Sequence, residues 1–442
     1  MNILILGSGI VGANLAKKLS EQGKNVFLLD DAPNNLKHIS EKYDIKTIHD
    51  DPLNPSFYKN FNTNIDYFIS VTQSDEKNII TAKFAKEYLN VGKTIARIRN
   101  QNLISQDNHI SLLEKNQFLD HVISPELEVA NNIFEKIHMP GAFFSESLIS
   151  DNFLLIGMQS SDIFKHHTFV DIKNFFKTNN ICYLGHIFED NEVLDIKKIS
   201  NSNYLYLLVK KEYLNKMIKF FGYKDYVMNI LLIGGGNIGH KLSQMIELDE
   251  QEINLKILEK SIDKCNYLAA NLKKTSVFCG DALDQSLYEE INLNNSDLVI
   301  TVTDNDQINT ILSIIAKKRG AKSVISVINS DSYSSFANDL GIDIMINPRE
   351  LTTSRIIEKI SEGSLLSYHS ILRDNFSIYE VKYKNELYEQ IKKSKYVIHV
   401  CTISDNSIIL AKDDHIPVNN DVLILMIKNV YSKNIEKLIN DH

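Results

Sequence analysis

Residues 2–18 read NILILGSGIVGANLAKK, and residues 229–245 read NILLIGGGNIGHKLSQM. Each is a short apolar run, then a G-x-G-x-x-G, then the apolar spacing of a helix. Gly7, Gly9 and Gly12 make the first motif; Gly234, Gly236 and Gly239 make the second. Between a strand and a helix the three glycines have separate tasks. The first permits the turn, the second removes a Cβ from the path of a pyrophosphate, and the third lets helix and strand approach closely. The helix start offers unpaired N–H groups and a partial positive charge to the phosphates. The candidate cofactor-binding backbone is therefore Gly7, Ser8, Gly9, Ile10, Val11 and Gly12, with Gly234, Gly235, Gly236, Asn237, Ile238 and Gly239. An ordinary dehydrogenase needs one such module, so two point to an assembly that reads nucleotides.

The likeness of the halves extends outward from these turns. The run NVFLLD ends at Asp30, and INLKILE ends at Glu259. A carboxylate at the end of the second strand accepts hydrogen bonds from ribose hydroxyls and favours NAD or ATP over NADP. TIHDDPLNPSFY (47–58) aligns with SVFCGDALDQSLY (276–288), and DYFISVTQSDEKNIITAKFAK (66–86) with DLVITVTDNDQINTILSIIAK (297–317). VISPELEVANNIFEKI (122–137) aligns with MINPRELTTSRIIEKI (345–360). Short β-branched runs alternate with amphipathic helical stretches, the pattern of a parallel sheet covered by helices. Strands are predicted at 2–6, 25–30, 45–49, 66–71, 94–98 and 119–123. In the second half they are predicted at 228–233, 253–258, 275–279, 297–302, 323–328 and 342–346.

The fold class is thus α/β: two Rossmann-like, doubly wound parallel sheets, each followed by a small α+β module. The expected units are 1–137, 138–226, 227–362 and 363–442. Pro140-Gly141 and Glu362-Gly363 mark the exits from the long helices.

Further candidates lie at the strand ends. Gly280, Asp281 and Ala282 end the third strand of the second half, where the carboxylate either meets an adenine amino group or caps the following turn. The first half has Asp50, Asp51 and Pro52 instead. The extra charge at Asp50 is expected to crowd a base, so the two sites should differ in ligand or affinity. Thr72 and Thr303 open the loops after the fourth strands, where ligand contact and helix capping are both open readings. Arg97 and Arg99 end the fifth strand, against Val327 and Asn329 in the second half. A guanidinium pair beside a crevice suits an extra phosphate, as in ATP or ADP; the alternative is a surface ion pair.

The totals exclude several classes. The chain has 442 residues, 43% hydrophobic and 24% charged, as in a soluble globular protein of two to four domains. Its net charge of -8 disfavours a nucleic-acid partner. No apolar run approaches the roughly 18 residues of a membrane span, and a strand beginning at residue 2 is expected to leave no room for a signal peptide. Cys182, Cys265, Cys279 and Cys401 form no C-x-x-C, which suits a reduced cytoplasmic setting and not a zinc site. The histidines do not cluster at metal-ligand spacing. G-x-S-x-G, H-E-x-x-H and Walker A motifs are absent.

With these pieces placed, the chain resembles the tandem RCK (KTN) family, the regulatory subunits of bacterial Trk potassium-uptake systems. GSGIVG with Asp30, VTQSDEKNI, IARIRN and VISPE carry the resemblance in the first half. IGGGNIG with Glu259, GDALD, VTDNDQIN and AKKRGAKSV carry it in the second. The resemblance implies NAD(H) in the Rossmann-like N-type domains, ATP/ADP as further effectors, and small C-type ligand or assembly modules. It also implies a homo-oligomeric ring, a tetramer, peripheral on the cytoplasmic face of a membrane potassium-channel-like transporter subunit, and no catalysis. The family's Gly-Asp turn in the small modules becomes Ser202-Asn203 and Asn420-Asp421 here; Asn adopts the same left-handed backbone at modest cost. The alternative, an NAD-dependent oxidoreductase, requires an acid–base group beside the nicotinamide. The short regions after each Rossmann unit offer no evident dyad.

Overall fold

The computed structural model describes residues 1–100, 103–104, 119–148, 152–159, 167–188, 191–196, 204–223, 227–249, 251–330, 340–360, 365–372, 375–411, 415–431 and 439. Ile3, Leu4, Ile5 and Leu6 are all buried, because helices cover both faces of their sheet. That sheet holds β1 (Asn2–Leu6), β2 (Asn25–Asp30), β3 (Lys46–His49), β4 (Tyr67–Ser70), β5 (Lys93–Arg97) and β6 (His121–Ile123). The strands run parallel in the order β3-β2-β1-β4-β5-β6. Helices α1 (Ile10–Glu21), α2 (Pro33–Ser40), α3 (Pro55–Asn60) and α4 (Asp75–Phe84) connect them, and α5 (Pro125–Ile137) follows β6.

A small antiparallel sheet comes next: β7 (Ala142–Ser147), β8 (Phe153–Gln159), β9 (Cys182–Phe188), β10 (Asn191–Val193) and β11 (Tyr204–Lys210), with α6 (Phe169–Thr178) and α7 (Leu214–Phe220). The second parallel sheet holds β12 (Asn229–Ile233), β13 (Asn254–Glu259), β14 (Ser276–Cys279), β15 (Leu298–Thr301), β16 (Ser323–Val327) and β17 (Ile344–Ile346). Its helices are α8 (Asn237–Glu247), α9 (Ile262–Asn271), α10 (Asp306–Lys318) and α11 (Pro348–Ile360). Its order, β14-β13-β12-β15-β16-β17, repeats the first. A second small sheet closes the chain: β18 (Leu365–Ile371), β19 (Phe376–Lys382), β20 (Val397–Ser404), β21 (Ser407–Leu410) and β22 (Val422–Lys428), with α12 (Asn385–Lys393).

The expected α/β class holds, and so does the repeat at the level of register. Leu6 pairs with Leu29 and Ser70, as Ile233 pairs with Leu258 and Thr301. The edge strands are shorter than the apolar runs at 119–123 and 342–346. Leu119 and Ile342 are buried as connectors without joining a ladder. Asn420 takes the left-handed backbone expected of it, φ +81°, and the Asp421 carboxylate accepts from Val418 N at 2.9 Å. Ser202-Asn203 and Glu362-Gly363 lie outside the described residues.

The halves exchange their last helices. Val129, Ala130, Ile133 and Ile137 of α5 are fully buried, in one core with Ile230, Leu232, Leu242 and Ile246 of the second half. Ile356, Ile357 and Ile360 of α11 pack with Ile3, Ile5, Leu15 and Leu19 of the first. Where the two helices meet, Arg355 Nε donates to Glu128 Oε2 at 2.9 Å. At the end of α5, His138 Nε2 lies 2.7 Å from Asp249 Oδ2, just beyond α8. The small sheets also share a core: Leu155, Cys182 and Leu208 pack with Ile378, Cys401 and Ile424.

One buried amide in each half fixes the loop over the strand ends. Asn78 Oδ1 accepts from Thr72 N (2.9 Å) and Thr72 Oγ1 (2.7 Å), while its Nδ2 donates to Thr72 O (3.1 Å) and Arg97 O (2.8 Å). Asn309 repeats this with Thr303 N (3.0 Å), Thr303 Oγ1 (2.6 Å), Thr303 O (3.0 Å) and Val327 O (2.8 Å). Both side chains are fully buried and fully bonded.

Two outcomes are expected. Ile133→Ala should cost about 2–5 kcal/mol, and hydrogen exchange should show lost protection in β12 and β16, across the exchange and not only in the first sheet. Asn309→Ala should cost about 2–4 kcal/mol by leaving buried backbone groups of the 303 loop unpaired, read as a lower urea midpoint.

Candidate nucleotide-binding sites

The glycine turns have the backbone their spacing requires. Gly7 and Gly234 sit at φ +109° and +111°, a region that favours glycine. A Cβ on Gly12 would stand 1.8 Å from Gly7 O, and one on Gly239 2.0 Å from Gly234 O. The third glycine is therefore a packing requirement. Gly9 and Gly236 differ: both are extended, and a Cβ on either would meet no protein atom within 4 Å. The space beside them is open at the start of α1 and of α8, and a side chain would fill only the cradle for an anion.

The two acids close these turns onto the sheet. Asp30 Oδ2 accepts from Ser8 N, and Oδ1 accepts from Ala32 N at 2.9 Å. Glu259 Oε2 accepts from Gly235 N at 2.7 Å and Oε1 from Ser261 N at 2.8 Å. Each carboxylate oxygen keeps a further lone pair for a hydroxyl. Gly235 must be small, since its Cβ would lie 2.4 Å from Leu268. At the matching position the buried Ser8 hydroxyl has no hydrogen-bond partner.

The first crevice is a cavity of about 650 Å³. Of the predicted residues, Gly7, Gly9, Ile10, Val11, Asp30, Thr72 and Arg97 line it. Ser8 and Gly12 shape the turn from behind. Asp51 does not line the cavity, and neither does Asp50. Asp50 Oδ1 accepts from Asp51 N (2.8 Å), and Asp51 Oδ1 accepts from Leu53 N (2.9 Å). Both carboxylates are bonded to their own turn. The second half follows the same plan. Asp281 accepts from Leu283 N (3.0 Å) and from Lys260 Nζ (2.9 Å), and these bonds hold its pKa below the usual value. A Cβ on Gly280 would lie 2.4 Å from Leu287, so this glycine makes room for the protein's own side chain. The Ala282 carbonyl accepts from Tyr288 OH at 2.9 Å, as Pro52's does from Tyr58 at 2.8 Å.

The loops after the fourth strands divide their residues between scaffold and site. Ser74 and Asn305 cap α4 and α10. The carboxylates of Asp75 and Asp306 accept from the backbone at residues 99–100 and 329–330. Thr72, held by Asn78, faces the cavity. Asn237 and Ile238 open α8, with Ile238 against the second core.

Charge separates the two crevices. Arg97 Nη2 donates to Thr72 O at 2.9 Å, but its buried Nε has no partner. Burial, and then the neighbouring Arg99 guanidinium, lower its pKa against the opposing pull of Glu126 and Asp75. Arg99 Nε donates to Glu126 Oε1 at 3.0 Å, and Lys77 Nζ to Asp31 Oδ2 at 3.0 Å. The latter hydrogen bond is the main reason the Asp31 pKa is lowered. Arg349, from α11 of the second half, also lines the cavity. Lys77 and Arg349 were not legible as site residues. Lys77 reads as an ordinary helical lysine, and Arg349 arrives only through the helix exchange. At the positions of Lys77, Arg97 and Arg99 the second half has Ile308, Val327 and Asn329. Among the described residues no three His, Cys, Asp or Glu side chains converge to hold a metal, and no helix is long and apolar enough to cross a membrane.

The TrkA-N domain model matches residues 3–125 and 230–348. The Trk system potassium uptake protein TrkA of Vibrio alginolyticus is 27% identical over 391 residues, 84% of this chain and 82% of the relative. The Methanosarcina mazei protein named Trk system potassium uptake protein TrkA homolog 2 is 26% identical, over 99% of this chain and 100% of the relative. Among solved structures, the GsuK RCK domain superposes with a TM-score of 0.60 at 13% identity, covering 100% of this chain and 95% of that one. The GsuK channel bound to NAD gives 0.59 at 13% identity, covering 100% of this chain and 79% of that one. Two matched segments, on two sheets of one topology, account for more than half of the sequence, and the chain belongs to the TrkA-N domain family.

Proposed function

We propose that this chain is a nucleotide-responsive regulatory subunit of a membrane potassium-uptake system, acting by occupancy and not by bond-making. The observation that carries this reading is the open space beside Gly9 and Gly236 at two helix starts, with Arg97 lining the first crevice. The names of the relatives support the potassium-uptake setting. The units are proposed to be 1–137, 138–226, 227–362 and 363–442, with α5 and α11 each seated on the opposite half.

The residues present fit a nucleotide. The amides at the start of α1 and of α8 would hold the pyrophosphate, and Asp30 and Glu259 a ribose. In the first crevice Arg97, Arg99 and Lys77 would meet further phosphates, which favours ATP or ADP there. The second crevice lacks those cations and suits NAD(H). Arg349 and Thr352 of α11 line the first crevice while α11 packs on the first core. An occupant would therefore touch both halves at once and bias their relative position. Couplings of this kind are typically 1–3 kcal/mol. A homo-oligomeric ring, a tetramer, on the cytoplasmic face of a channel-like transporter would pass that bias to the pore.

Thermal-shift titration of the purified chain tests the reading. Saturating NAD(H), ATP or ADP should raise Tm by on the order of a few degrees; no shift with any of them at millimolar concentration overturns it. Gly236→Val should leave the fold within about 1 kcal/mol of native and abolish the shift at the second crevice, with Gly9→Val doing the same at the first. Arg97→Gln should weaken ATP at least tenfold while changing NAD(H) binding little, as measured by calorimetry at fixed salt.

A further inference from the structure

A second cavity, of about 360 Å³, lies at the amino ends of the second parallel sheet, the end opposite its glycine turn. Three parts of the chain wall it: the exit of α5 with the start of β7, the Gly222-Tyr223 turn after α7, and the approaches to β12, β15, β16 and β17. Met139, Val227, Leu298 and Ile344 give it a buried apolar surface, and Phe143 and Tyr223 supply aromatic rings. Gly141 sits at φ +83°, and a Cβ there would lie 2.2 Å from the Tyr223 ring, so the Pro140-Gly141 turn is shaped to admit that ring. One lining residue breaks the apolar pattern. Lys136 falls on the buried stripe of α5 with Val129 and Ile133, at 7% exposure. Lysine normally carries its ammonium out to water, and at the matching repeat position in α11 Lys359 is exposed. Lys136 Nζ donates to Ser145 Oγ at 3.2 Å, and among the described residues no carboxylate lies at ion-pair distance from it. Burial lowers its pKa, against the pull of Glu146 and then Glu135. A buried ammonium bonded to a hydroxyl, with no paired carboxylate, is costly, and an arriving anion offsets that cost.

We propose that this cavity is a further ligand site, which takes a small organic acid whose carboxylate pairs with Lys136 and whose apolar body lies against Met139, Val227, Leu298 and Ile344. The charge of the lining favours an anion. Its two acids are already engaged: Asp297 accepts from Asn229 N at 3.0 Å and pairs with Lys322, and Asp343 accepts from Val324 N at 2.8 Å and pairs with Lys317 at 2.9 Å. The volume is at the small end of the range for organic-ligand pockets, roughly 300–1,000 Å³, and about half that of the first crevice. That size suits a small acid and not a dinucleotide. An occupant would touch the first small module and the second parallel sheet at once, and so hold the two together. The site is separate from both glycine turns and does not depend on what they bind.

Calorimetric titration of the full chain with octanoate tests this, with 1-octanol and octylamine as neutral and cationic bodies of the same length. Octanoate should bind, octanol should bind at least roughly tenfold more weakly, and octylamine should not bind. Lys136→Met removes the charge and keeps an unbranched side chain. It should weaken octanoate at least roughly tenfold and leave octanol and NAD(H) binding unchanged; Lys136→Gln replaces it should the methionine variant misfold. In hydrogen exchange, octanoate should add protection at 139–144 and 227–229 and none at 234–239. Absence of octanoate binding at millimolar concentration overturns the proposal, as does binding undiminished in the Lys136 variants or protection confined to the glycine turns.

Discussion

Neither parallel sheet can bury its helical face without the other half. A helix such as α5, with four fully buried aliphatic or alanine side chains on one stripe, must find an apolar partner. A fully buried Ile or Val is worth roughly 1.5–3 kcal/mol. α5 finds that partner on α8 and β12, in the opposite half, and α11 reciprocates on α1. The exchange, with Arg355 and Glu128 at its centre, makes one cooperative body of two units that the repeat alone would let stand apart. Cavity composition depends on it too, because it carries Arg349 and Thr352 to the first crevice.

Within that body the halves keep one scaffold and vary the charge. The same residues do the same structural work twice. Asn78 and Asn309 lock the loop after the fourth strand, Asp75 and Asp306 tie the next strand end, and Asp51 and Asp281 close the turn after the third. Against this constant background the first crevice carries Lys77, Arg97 and Arg99, where the second half has Ile308, Val327 and Asn329 at the matching sequence positions. The two halves thus differ in cations while the frame is retained.

The glycine turns were legible because their constraint is local. A positive φ at Gly7, a Cβ collision between Gly12 and Gly7 O, and open space at Gly9 all follow from a few residues of backbone. The acids were legible in position but only partly in role. Asp30 and Glu259 spend hydrogen bonds on the turn itself, and no spacing rule distinguishes that from ribose binding. At Asp50 charge was legible and placement was not: its side chain is bonded to its own turn and does not line the first crevice.

The sequence by itself determined the α/β class, the twofold repeat, the register of strand and helix, and the glycine turns, because these rest on periodicity and on single-residue backbone preferences. Only the tertiary structure decided that α5 and α11 trade places and that Arg349 reaches the first crevice. Those outcomes depend on which apolar faces find each other across long stretches of chain. No local pattern encodes that choice; it is made by the burial of one surface against another.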